Sequence, residues 1–456
     1  MPGRLLRLFQ PAPAQPASYK SEDEMRSKFR YWRIRQLYST FIGYAIFYFV
    51  RKNIPLALPL MEKDLGLAKA DLGKILTLHD IVYGISKFLN GFLGDRCNAR
   101  YFMALGLFLS AAANVAFGMN SALGVLIVFW VLNGWFQGMG FPPCARILSH
   151  WFSPRERGTF WGLWNTSHQF GLAIILILAG YLGEWYGWRW IFYVPAAIAA
   201  AVALLLVERL RDTPASLGLP PVEAFHGEVP AQAEATRPQS TENQSLHEFW
   251  RFLVRSVFSN PFIWGACLSN FFIYVVRYGF VNWAPSYLQD RQVSLAGAGW
   301  MMAGFELASL VGALMAGWLS DRLFGGRRSP VCFAYMLAAT ACIVLFWKLP
   351  DGHPWAYAVV LLAVGFLIYG PQFLVAVFTA DLATRKAAAT AIGMTGFFGY
   401  LSGVLSGWGL GHLVDQHGWN GAFQVLIACS LLAALPWVFM WKISAEHAPK
   451  EDGSAS

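Results

Sequence analysis

Long apolar stretches alternate with short polar connections along nearly the whole chain. Each stretch has about 20 residues, the length that a helix needs to cross roughly 30 Å of bilayer hydrocarbon. We number these stretches spans 1–12, and six lie on either side of one longer polar segment. The pattern predicts membrane-spanning helices at 36–60, 72–94, 101–120, 123–146, 159–182 and 188–207, then at 262–286, 296–319, 329–348, 355–379, 389–411 and 420–442.

The polar segment between spans 6 and 7 has the composition of a linker. It is rich in Pro, Glu and Gln from Pro220 to Gln244. It ends in a short amphipathic piece, Leu246 to Val257, which we expect to lie on the membrane surface. The sequence therefore predicts an N-terminal tail at 1–35, a six-helix bundle at 36–207, a linker at 208–260, a second six-helix bundle at 261–442 and a C-terminal tail at 443–456.

The composition agrees with a chain that lies mostly in a membrane. Of the 456 residues, 56% are hydrophobic and 13% are charged, and that charged share is about half of what soluble globular proteins carry. The six cysteines lack CxxC spacing, so neither a disulfide framework nor a metal site is predicted. No catalytic triad, phosphate-cradling loop or ATPase signature occurs in the sequence. We therefore expect neither an enzyme nor an ATP-driven pump, and no cofactor.

Lysine and arginine concentrate in alternate connections between the spans. They fill the N-terminal tail, the linker and the connections after spans 2, 4, 8 and 10, whereas the other connections hold few. Positively charged connections stay in the cytoplasm. The pattern thus predicts a multi-pass protein of a bacterial inner membrane with both termini in the cytoplasm. It also accounts for the net charge of +9 without nucleic-acid binding.

The two sets of six spans are related by an internal repeat. A shift of 226 residues brings Arg51 onto Arg277 and Asp80 onto Glu306. In both copies a Gly-x-x-x-Asp-Arg motif follows the second span. Two halves in the same orientation, together with this loop motif, resemble the major facilitator transporters. The expected fold is an all-α membrane protein with twelve spans in two six-helix halves, the major facilitator fold.

Arg51 and Arg277 lie deep inside apolar spans. An arginine at the centre of a spanning helix costs about 2.5–3.5 kcal/mol on insertion scales, so a repeat-related pair indicates a function. A guanidinium presents a planar fork of donors that matches phosphate oxygens. Two guanidinium groups roughly neutralise a phosphate monoester, which carries about −1.5 to −2 charge. We interpret the pair as ligands of an organic phosphate.

Motifs inside the spans resemble the organophosphate:phosphate antiporters. The resemblance covers about residues 30–440, and its motifs are FYFVRKN at 47–53, YGISKF at 83–88, GWFQGMGFPPC at 134–144, WNTSH at 164–168, YVVRYG at 274–279 and FLIYGP at 366–371. That family includes glycerol-3-phosphate, hexose-phosphate and phosphoglycerate transporters and a hexose-phosphate sensor. The resemblance implies exchange of an organophosphate for inorganic phosphate.

Further candidate ligands follow from the resemblance and from polar side chains within the spans. The family uses a histidine at the position of His168 for substrate binding, and packing is the alternative. Lys87, in the inner half of span 2, either attracts the anion from the cytoplasmic side or only extends its amine to the membrane surface. Five tyrosines either bind substrate oxygens or pack in the wall: Tyr44, Tyr48, Tyr274, Tyr369 and Tyr400.

Other charged residues are candidates for a gating network. The resemblance implies that Lys52 pairs with acidic residues of spans 7 and 8, but the span-7 position is Asn282 here and leaves Glu306 as the acidic residue. Asp80 follows His79, and either contacts a substrate hydroxyl, pairs with a basic residue or carries a proton. The loop motifs add four members: Asp95, Arg96, Asp321 and Arg322.

Three functions are consistent with these features. The first is a secondary antiporter that exchanges an organophosphate, with hexose 6-phosphate favoured, for inorganic phosphate by alternating access. The second is a sugar-phosphate receptor that acts on a membrane histidine kinase, because residues 95–103, 130–133 and 144–146 look like the hexose-phosphate sensor. The third is a proton-coupled carrier, which only His79, Asp80 and Glu306 favour.

Overall fold

The computed structural model describes residues 9–94, 96–225, 254–383 and 387–443. Every regular element within these ranges is a helix, which confirms the all-α prediction. The predicted features that lie wholly or partly outside the described residues are the start of the N-terminal tail up to residue 8, the motif residue Asp95, most of the Pro-, Glu- and Gln-rich run Pro220 to Gln244, most of the surface piece Leu246 to Val257, and the C-terminal tail beyond 443.

Several spans of the first half are built from two helices each. Span 1 consists of α1 and α2, span 4 of α5 and α6, and span 5 of α7 and α8. Pro142 and Pro143 open α6, where a missing backbone N–H is tolerated. The helices of this half are α1 Glu22–Phe49, α2 Ile54–Leu65, α3 Lys69–Gly94, α4 Ala99–Gly118, α5 Leu123–Gln137, α6 Phe141–Trp151, α7 Pro154–Asn165, α8 Ser167–Tyr186 and α9 Trp190–Arg209.

The second half contains longer, mostly uninterrupted helices. These are α10 Pro261–Asp290, α11 Leu295–Leu323, α12 Ser329–Lys348, α13 Pro354–Leu382, α14 Ala388–Leu401 and α15 Leu410–Phe439. A π-helical turn, Leu405–Gly409, joins α14 to α15. The chain reverses inside α15 at Gly418, whose φ of 64° favours glycine. Spans 11 and 12 therefore meet at Gly418.

Eight helical stretches of the described chain are long and apolar enough to cross a membrane. One of them, Thr390–Phe439, contains both span 11 and span 12. The other three predicted spans are span 1 (α1 and α2), span 2 (α3) and span 7 (α10). These spans contain Arg51, Lys87 and Arg277, respectively.

The chain forms two compact units that do not follow the two halves of the sequence. Unit 1 contains the chain up to Ile54, Val82–Ile175 and the chain from Arg189 into the linker. Unit 2 contains Pro55–Ile81, Leu176–Trp188 and the second half. Two pieces of the first half thus pack with the second, and the charge pattern predicts that both lie away from the cytoplasm. The predicted division of the chain into two tails, two six-helix bundles and a linker stays a prediction.

Aromatic side chains fill the interior of each unit. In unit 1, α4 packs against α5 and α9, and Phe117 lies with its ring centroid 5.0 Å from Trp130 and 4.5 Å from Phe192. In unit 2, α12 packs against α13 and α15, where Phe346 lies 5.4 Å from Tyr287. Such tilted ring pairs add about 0.5–1.5 kcal/mol beyond the burial of their surface. They form rigid supports for the helices that carry the candidate ligands.

Candidate substrate-binding site

Arg51 lies at a break in span 1, whereas the apolar pattern predicts that it lies inside one continuous helix. α1 ends at Phe49, and α2 begins at Ile54. Pro55 gives the physical reason. It has no N–H to donate to the carbonyl of Arg51 four residues earlier, and its ring would clash with that carbonyl. The helix therefore stops and restarts around the arginine.

Buried amides replace the backbone hydrogen bonds that the break removes. The Val50 carbonyl accepts a bond from Asn114 Nδ2 and another from Asn133 Nδ2, both at 2.8 Å. Asn53 Nδ2 donates to Asn114 Oδ1 at 2.9 Å and to a carbonyl of α9 at 3.0 Å. All three asparagines are fully buried. Irregular backbone at membrane depth requires such partners, so this network holds the segment that carries Arg51.

The Arg51 guanidinium packs against two tyrosine rings. Its central carbon is 4.1 Å from the ring centroid of Tyr48 and 4.7 Å from that of Tyr83. Arg51 is only 8% exposed, and the Tyr48 ring lies 5.5 Å from the imidazole of His168. Ring stacking uses the faces of a guanidinium, while hydrogen bonding uses its edges. The tyrosines therefore orient the group for recognition of a planar set of acceptors.

The other unit 1 candidates join the same cluster. His168 is half-buried and starts α8, directly after the break from α7. Tyr44 lies 5.8 Å from Tyr48 and 6.3 Å from Phe141. The ammonium of Lys87 is 5.2 Å from the Phe141 ring. Unit 1 thus brings one arginine, one histidine and one lysine around a wall of aromatic rings.

Arg277 lies in the middle of the uninterrupted helix α10. Its Nη1 donates to Gln372 Oε1 at 3.1 Å, and its Nη2 donates to the Tyr369 hydroxyl. The Tyr369 hydroxyl in turn donates to Glu306 Oε2 at 2.6 Å. Gln372 Nε2 donates to the hydroxyl of Tyr274 at 3.2 Å. Side chains of α13 therefore connect the arginine to a carboxylate of α11.

The Arg277 cluster contains its own counter-charge. Glu306 is 1% exposed, and the Tyr369 hydroxyl joins it to the guanidinium. Breaking such a buried pair by removing one partner is strongly destabilising. Arg277 Nε is buried without a hydrogen-bond partner among the described residues. A buried donor of this kind costs about 1–3 kcal/mol, so an anion oxygen in its plane would be stabilised.

Tyr278 belongs to the Arg277 cluster. The Arg277 guanidinium lies 5.5 Å from the Tyr278 ring, and that ring lies 5.4 Å from the ring of Tyr274. Asp80 Oδ1 is 3.0 Å from Nδ1 of His79. Within unit 2 the same side chain packs on Gly403, where a Cβ atom would lie 3.3 Å from Asp80 Cβ.

The predicted gating residues mostly have local partners in the structure. The Arg96 guanidinium lies 3.8 Å from the ring centroid of Phe92. Asp321 pairs with Arg328, which also reaches Asp381. Arg322 is exposed, and Lys52 is half-buried beside Arg51. The second loop motif therefore takes part in an ion-pair cluster at the end of α11.

Carboxylates cap two repeat-related helices within unit 2. Asp415 accepts bonds from the backbone N–H groups of Lys69 at 3.1 Å and Ala70 at 2.7 Å, at the start of α3. Glu184 accepts a bond from the N–H of Ala296 at 2.8 Å, at the start of α11. Ala70 and Ala296 are 226 residues apart, the shift of the repeat. Each helix start is thus held by a carboxylate from the opposite half of the sequence.

Glycines let the same two helices approach their partners closely. A Cβ atom on Gly73 would lie 2.6 Å from the carbonyl oxygen of Gly407, and one on Gly299 would lie 2.5 Å from that of Leu176. Real Cβ atoms do not come so near, so no larger residue fits without movement. Gly73 and Gly299 are again one repeat apart. The caps and the close contacts form two equivalent junctions between the sequence halves.

Sequence reasoning missed several residues of the two clusters. Tyr83 begins the YGISKF motif and Gln372 directly follows FLIYGP, so the motifs contained a signal for both. Asn53, Asn114 and Asn133 are amides inside apolar segments, where polar side chains are rare and have a role. The target that Asn114 and Asn133 share, the Val50 carbonyl, follows only from the packing of α4 and α5 on the break.

Comparisons with known proteins agree with the fold and the motifs. The sequence profile of the Major Facilitator Superfamily matches residues 40–407. A probable hexose phosphate transport protein of Chlamydia trachomatis is 39% identical over 97% of this chain and 98% of its own length. The glycerol-3-phosphate transporter of Bacillus subtilis is 38% identical over 97% of this chain and 100% of its own. The membrane sensor protein UhpC of Escherichia coli is 36% identical over 94% of this chain and 96% of its own.

A solved transporter structure has the same fold. The inward-facing, occupied form of a bacterial homologue of the human lysosomal transporter Spinster aligns with a TM-score of 0.73 at 16% identity, covering 92% of this chain and 99% of that chain. The predicted twelve-span fold and the predicted family are therefore confirmed. This chain belongs to the major facilitator superfamily and, within it, to the organophosphate:phosphate antiporter family, whose fold is that of transporters and not of enzymes.

Proposed function

We propose that this protein is a secondary transporter of a bacterial inner membrane that exchanges an organophosphate, hexose 6-phosphate in particular, for inorganic phosphate by alternating access. One observation carries the proposal. Arg51 and Arg277 are repeat-related and packed against tyrosine rings, each in its own unit; Arg51 is buried and Arg277 is half-buried. The preference for hexose 6-phosphate is supported by the 39% identity to a probable hexose phosphate transport protein.

Each arginine is suited to bind phosphate oxygens in its own way. The Arg51 guanidinium packs on the rings of Tyr48 and Tyr83, which orient the plane of its donors toward in-plane acceptors. Arg277 already donates to Gln372 and Tyr369, and its buried Nε is the donor that a phosphate oxygen would satisfy. His168 and Lys87 add positive charge to the unit 1 cluster. The tyrosines Tyr44, Tyr48, Tyr274, Tyr369 and Tyr400 supply hydroxyl groups to the ligand.

Electrostatics couples the outward flux of phosphate to the inward flux of the organophosphate. Glu306 balances the charge of only one guanidinium group, and enclosing the remaining positive charge in a medium of low dielectric is unfavourable unless an anion is enclosed with it. The empty carrier therefore reorients rarely, and the carrier loaded with either anion reorients readily. No ATP is needed. We further propose that both termini and the linker face the cytoplasm, as the distribution of lysine and arginine predicts.

Exchange in proteoliposomes tests this function. Vesicles loaded with inorganic phosphate should take up labelled glucose 6-phosphate, and vesicles without internal phosphate should take up little. Arg51→Lys and Arg277→Lys should each remove most of this exchange, because lysine keeps the charge but loses the bidentate fork. Arg291→Lys is the matched control, since Arg291 is an arginine at the end of α10 whose partner is the exposed Asp351.

Two outcomes would contradict the proposal. Wild-type exchange rates in both arginine variants would remove the arginines from the mechanism. Uptake into phosphate-free vesicles driven by a pH gradient alone would indicate a proton-coupled carrier instead.

A sugar-phosphate receptor is the second candidate function. The 36% identity to the membrane sensor protein UhpC favours it, and its partner would be a membrane histidine kinase. The receptor predicts glucose 6-phosphate binding in detergent together with negligible exchange in vesicles. Measuring binding and exchange on the same preparation separates the two functions.

A further inference from the structure

Four arginines gather at the end of α9 that the charge pattern predicts to face the cytoplasm. Arg209 ends α9 and Arg211 follows it, while Arg35 belongs to α1 and Arg100 to the start of α4. All four lie in unit 1, and the proposed substrate site uses none of them. We name this set the arginine cluster.

The ring of Trp32 brings two members of the arginine cluster together. Its centroid lies 4.7 Å from the central guanidinium carbon of Arg35 and 4.8 Å from that of Arg211. Burial, together with the positive charges of Arg100 and Arg35, lowers the pKa of the Arg211 guanidinium. Like charges this close repel one another, so additional negative charge at this place would be stabilised.

The negative charge around the arginine cluster does not balance it. Among the described residues, Glu208 is the carboxylate that pairs with the cluster, through Arg35 Nη2 and Arg209 Nε, each at 2.5 Å. Asp212 lies next along the chain but is buried in an ion pair with Arg146 at 2.9 Å. The carbonyls at the C-terminal end of α9 add about half a negative charge and accept bonds from three of the four guanidinium groups. A surplus of about two positive charges remains.

The surface beside the arginine cluster is suited to lipid. Tyr31, Ile34, Tyr38 and Ile42 follow one another at intervals of three and four residues along α1, so they share one face of the helix. Their exposed fractions lie between 37% and 66%. Arg209 Nη1 donates to the Tyr38 hydroxyl at 3.0 Å, which joins this face to the cluster. Tyrosines are typical of the membrane–water interface, and the exposed isoleucines match the hydrocarbon beside it.

We propose that the arginine cluster binds the headgroup phosphate of an anionic phospholipid, whose acyl chains lie along the exposed face of α1. A guanidinium presents a fork of donors to phosphate oxygens, and 37% of the Arg209 side chain is exposed to an approaching headgroup. Basic clusters at the cytoplasmic ends of spanning helices recognise anionic lipids. Inorganic phosphate shares the phosphate chemistry but lacks the acyl chains. The site goes beyond the proposed transport function and does not depend on it.

Displacement of a fluorescent phosphatidylglycerol from the purified full chain in detergent tests this site. Unlabelled phosphatidylglycerol should displace the probe at a concentration at least about tenfold lower than phosphatidylcholine, whose choline group cancels the charge of the phosphate. Inorganic phosphate should not displace it, because it lacks acyl chains. Arg209→Gln combined with Arg211→Gln should raise Kd for phosphatidylglycerol by about 30-fold, which is about fivefold for each charge near the membrane surface.

Arg26→Gln combined with Arg291→Gln is the matched control. It removes the same charge from two ion pairs outside the cluster, those with Glu22 and Asp351, and should change Kd by less than about twofold because exposed charges at a distance are screened. Ile34→Asn keeps all four arginines and should weaken phosphatidylglycerol by about threefold through lost apolar contact. Ile34 is 66% exposed, so this variant tests the lipid face even if the arginine variant fails to fold.

The proposal is overturned if phosphatidylcholine displaces the probe as well as phosphatidylglycerol does, or if the arginine variant binds like its control. An unchanged Kd in Ile34→Asn would equally overturn it. Displacement by inorganic phosphate that the arginine variant abolishes would assign the cluster to a soluble anion instead. Because the measurement is lipid binding, its failure leaves the transport proposal standing, and an absence of exchange leaves the lipid site standing.

Discussion

Asn114→Ala is expected to loosen the backbone at the break in span 1, which carries Arg51, and thereby to weaken phosphate binding. Asn114 donates to the Val50 carbonyl at 2.8 Å and to the Ser110 carbonyl at 3.0 Å, and it accepts a bond from Asn53 at 2.9 Å. A net intramolecular hydrogen bond contributes about 0.5–1.5 kcal/mol, so three of them amount to about 3 kcal/mol. Asn133→Ala removes one bond to the same carbonyl and a long one from Gln137 at 3.5 Å, and should cost about 1–2 kcal/mol.

The loss of stability can be followed with a thiol-reactive dye during heating in detergent. Cys144, Cys267 and Cys332 are fully buried in the native state, so the dye reports unfolding. We expect Asn114→Ala to lower the midpoint of thermal unfolding about twice as far as Asn133→Ala, because it removes three hydrogen bonds and Asn133→Ala removes one short and one long bond. Both variants should also raise KM for phosphate, because the segment that they release carries Arg51.

A double-mutant cycle isolates the network from general destabilisation. Asn53 and Asn114 share a hydrogen bond, so their alanine variants should be coupled by about 1 kcal/mol. Ser269→Ala is the control, because Ser269 bonds the Ala433 carbonyl in unit 2, outside both arginine clusters. It should lower stability and leave KM for phosphate unchanged. Additive energies in the cycle, or equal KM changes in the control, would refute this reasoning.

Three further predictions concern unit 2. Tyr369→Phe removes the hydroxyl between Arg277 and Glu306. It should lower both the folding equilibrium constant and the exchange rate by more than about fivefold. An unchanged exchange rate would show that this link is only structural. Asp415→Ala and Glu184→Ala each remove a helix cap and should destabilise the protein by similar amounts, about 0.5–2 kcal/mol in thermal unfolding, whereas a large difference would argue against equivalent junctions. Gly299→Val should lower the free energy of unfolding by about 1–3 kcal/mol, because its side chain would meet the Leu176 carbonyl. Gly317→Val is the control for stability, since only the ring edge of Phe373 lies within 4 Å of a Cβ atom there.

The membrane class, the twelve spans, the repeat and the family were all predictable from the sequence. Hydropathy and charge along the chain are local properties, and each apolar stretch must form a helix because lipid offers no partner for its backbone groups. Arg51 and Arg277 stood out for the same reason, since a charge in an apolar segment is costly wherever the segment packs. These features needed no knowledge of which helices touch.

Only the tertiary structure decided how the candidate residues are arranged. Pro55 marked a weak point in span 1, but the break persists because Asn114 and Asn133 arrive from α4 and α5 to bond the Val50 carbonyl. Asp80 and Glu306 are equivalent in the repeat, yet Glu306 accepts a hydrogen bond from Tyr369 and Asp80 pairs with His79. Hydrogen-bond partners from distant helices are set by packing, which the order of residues along one helix does not contain. The sequence thus determined which groups are charged and in the membrane, and the packing determined what each of them touches.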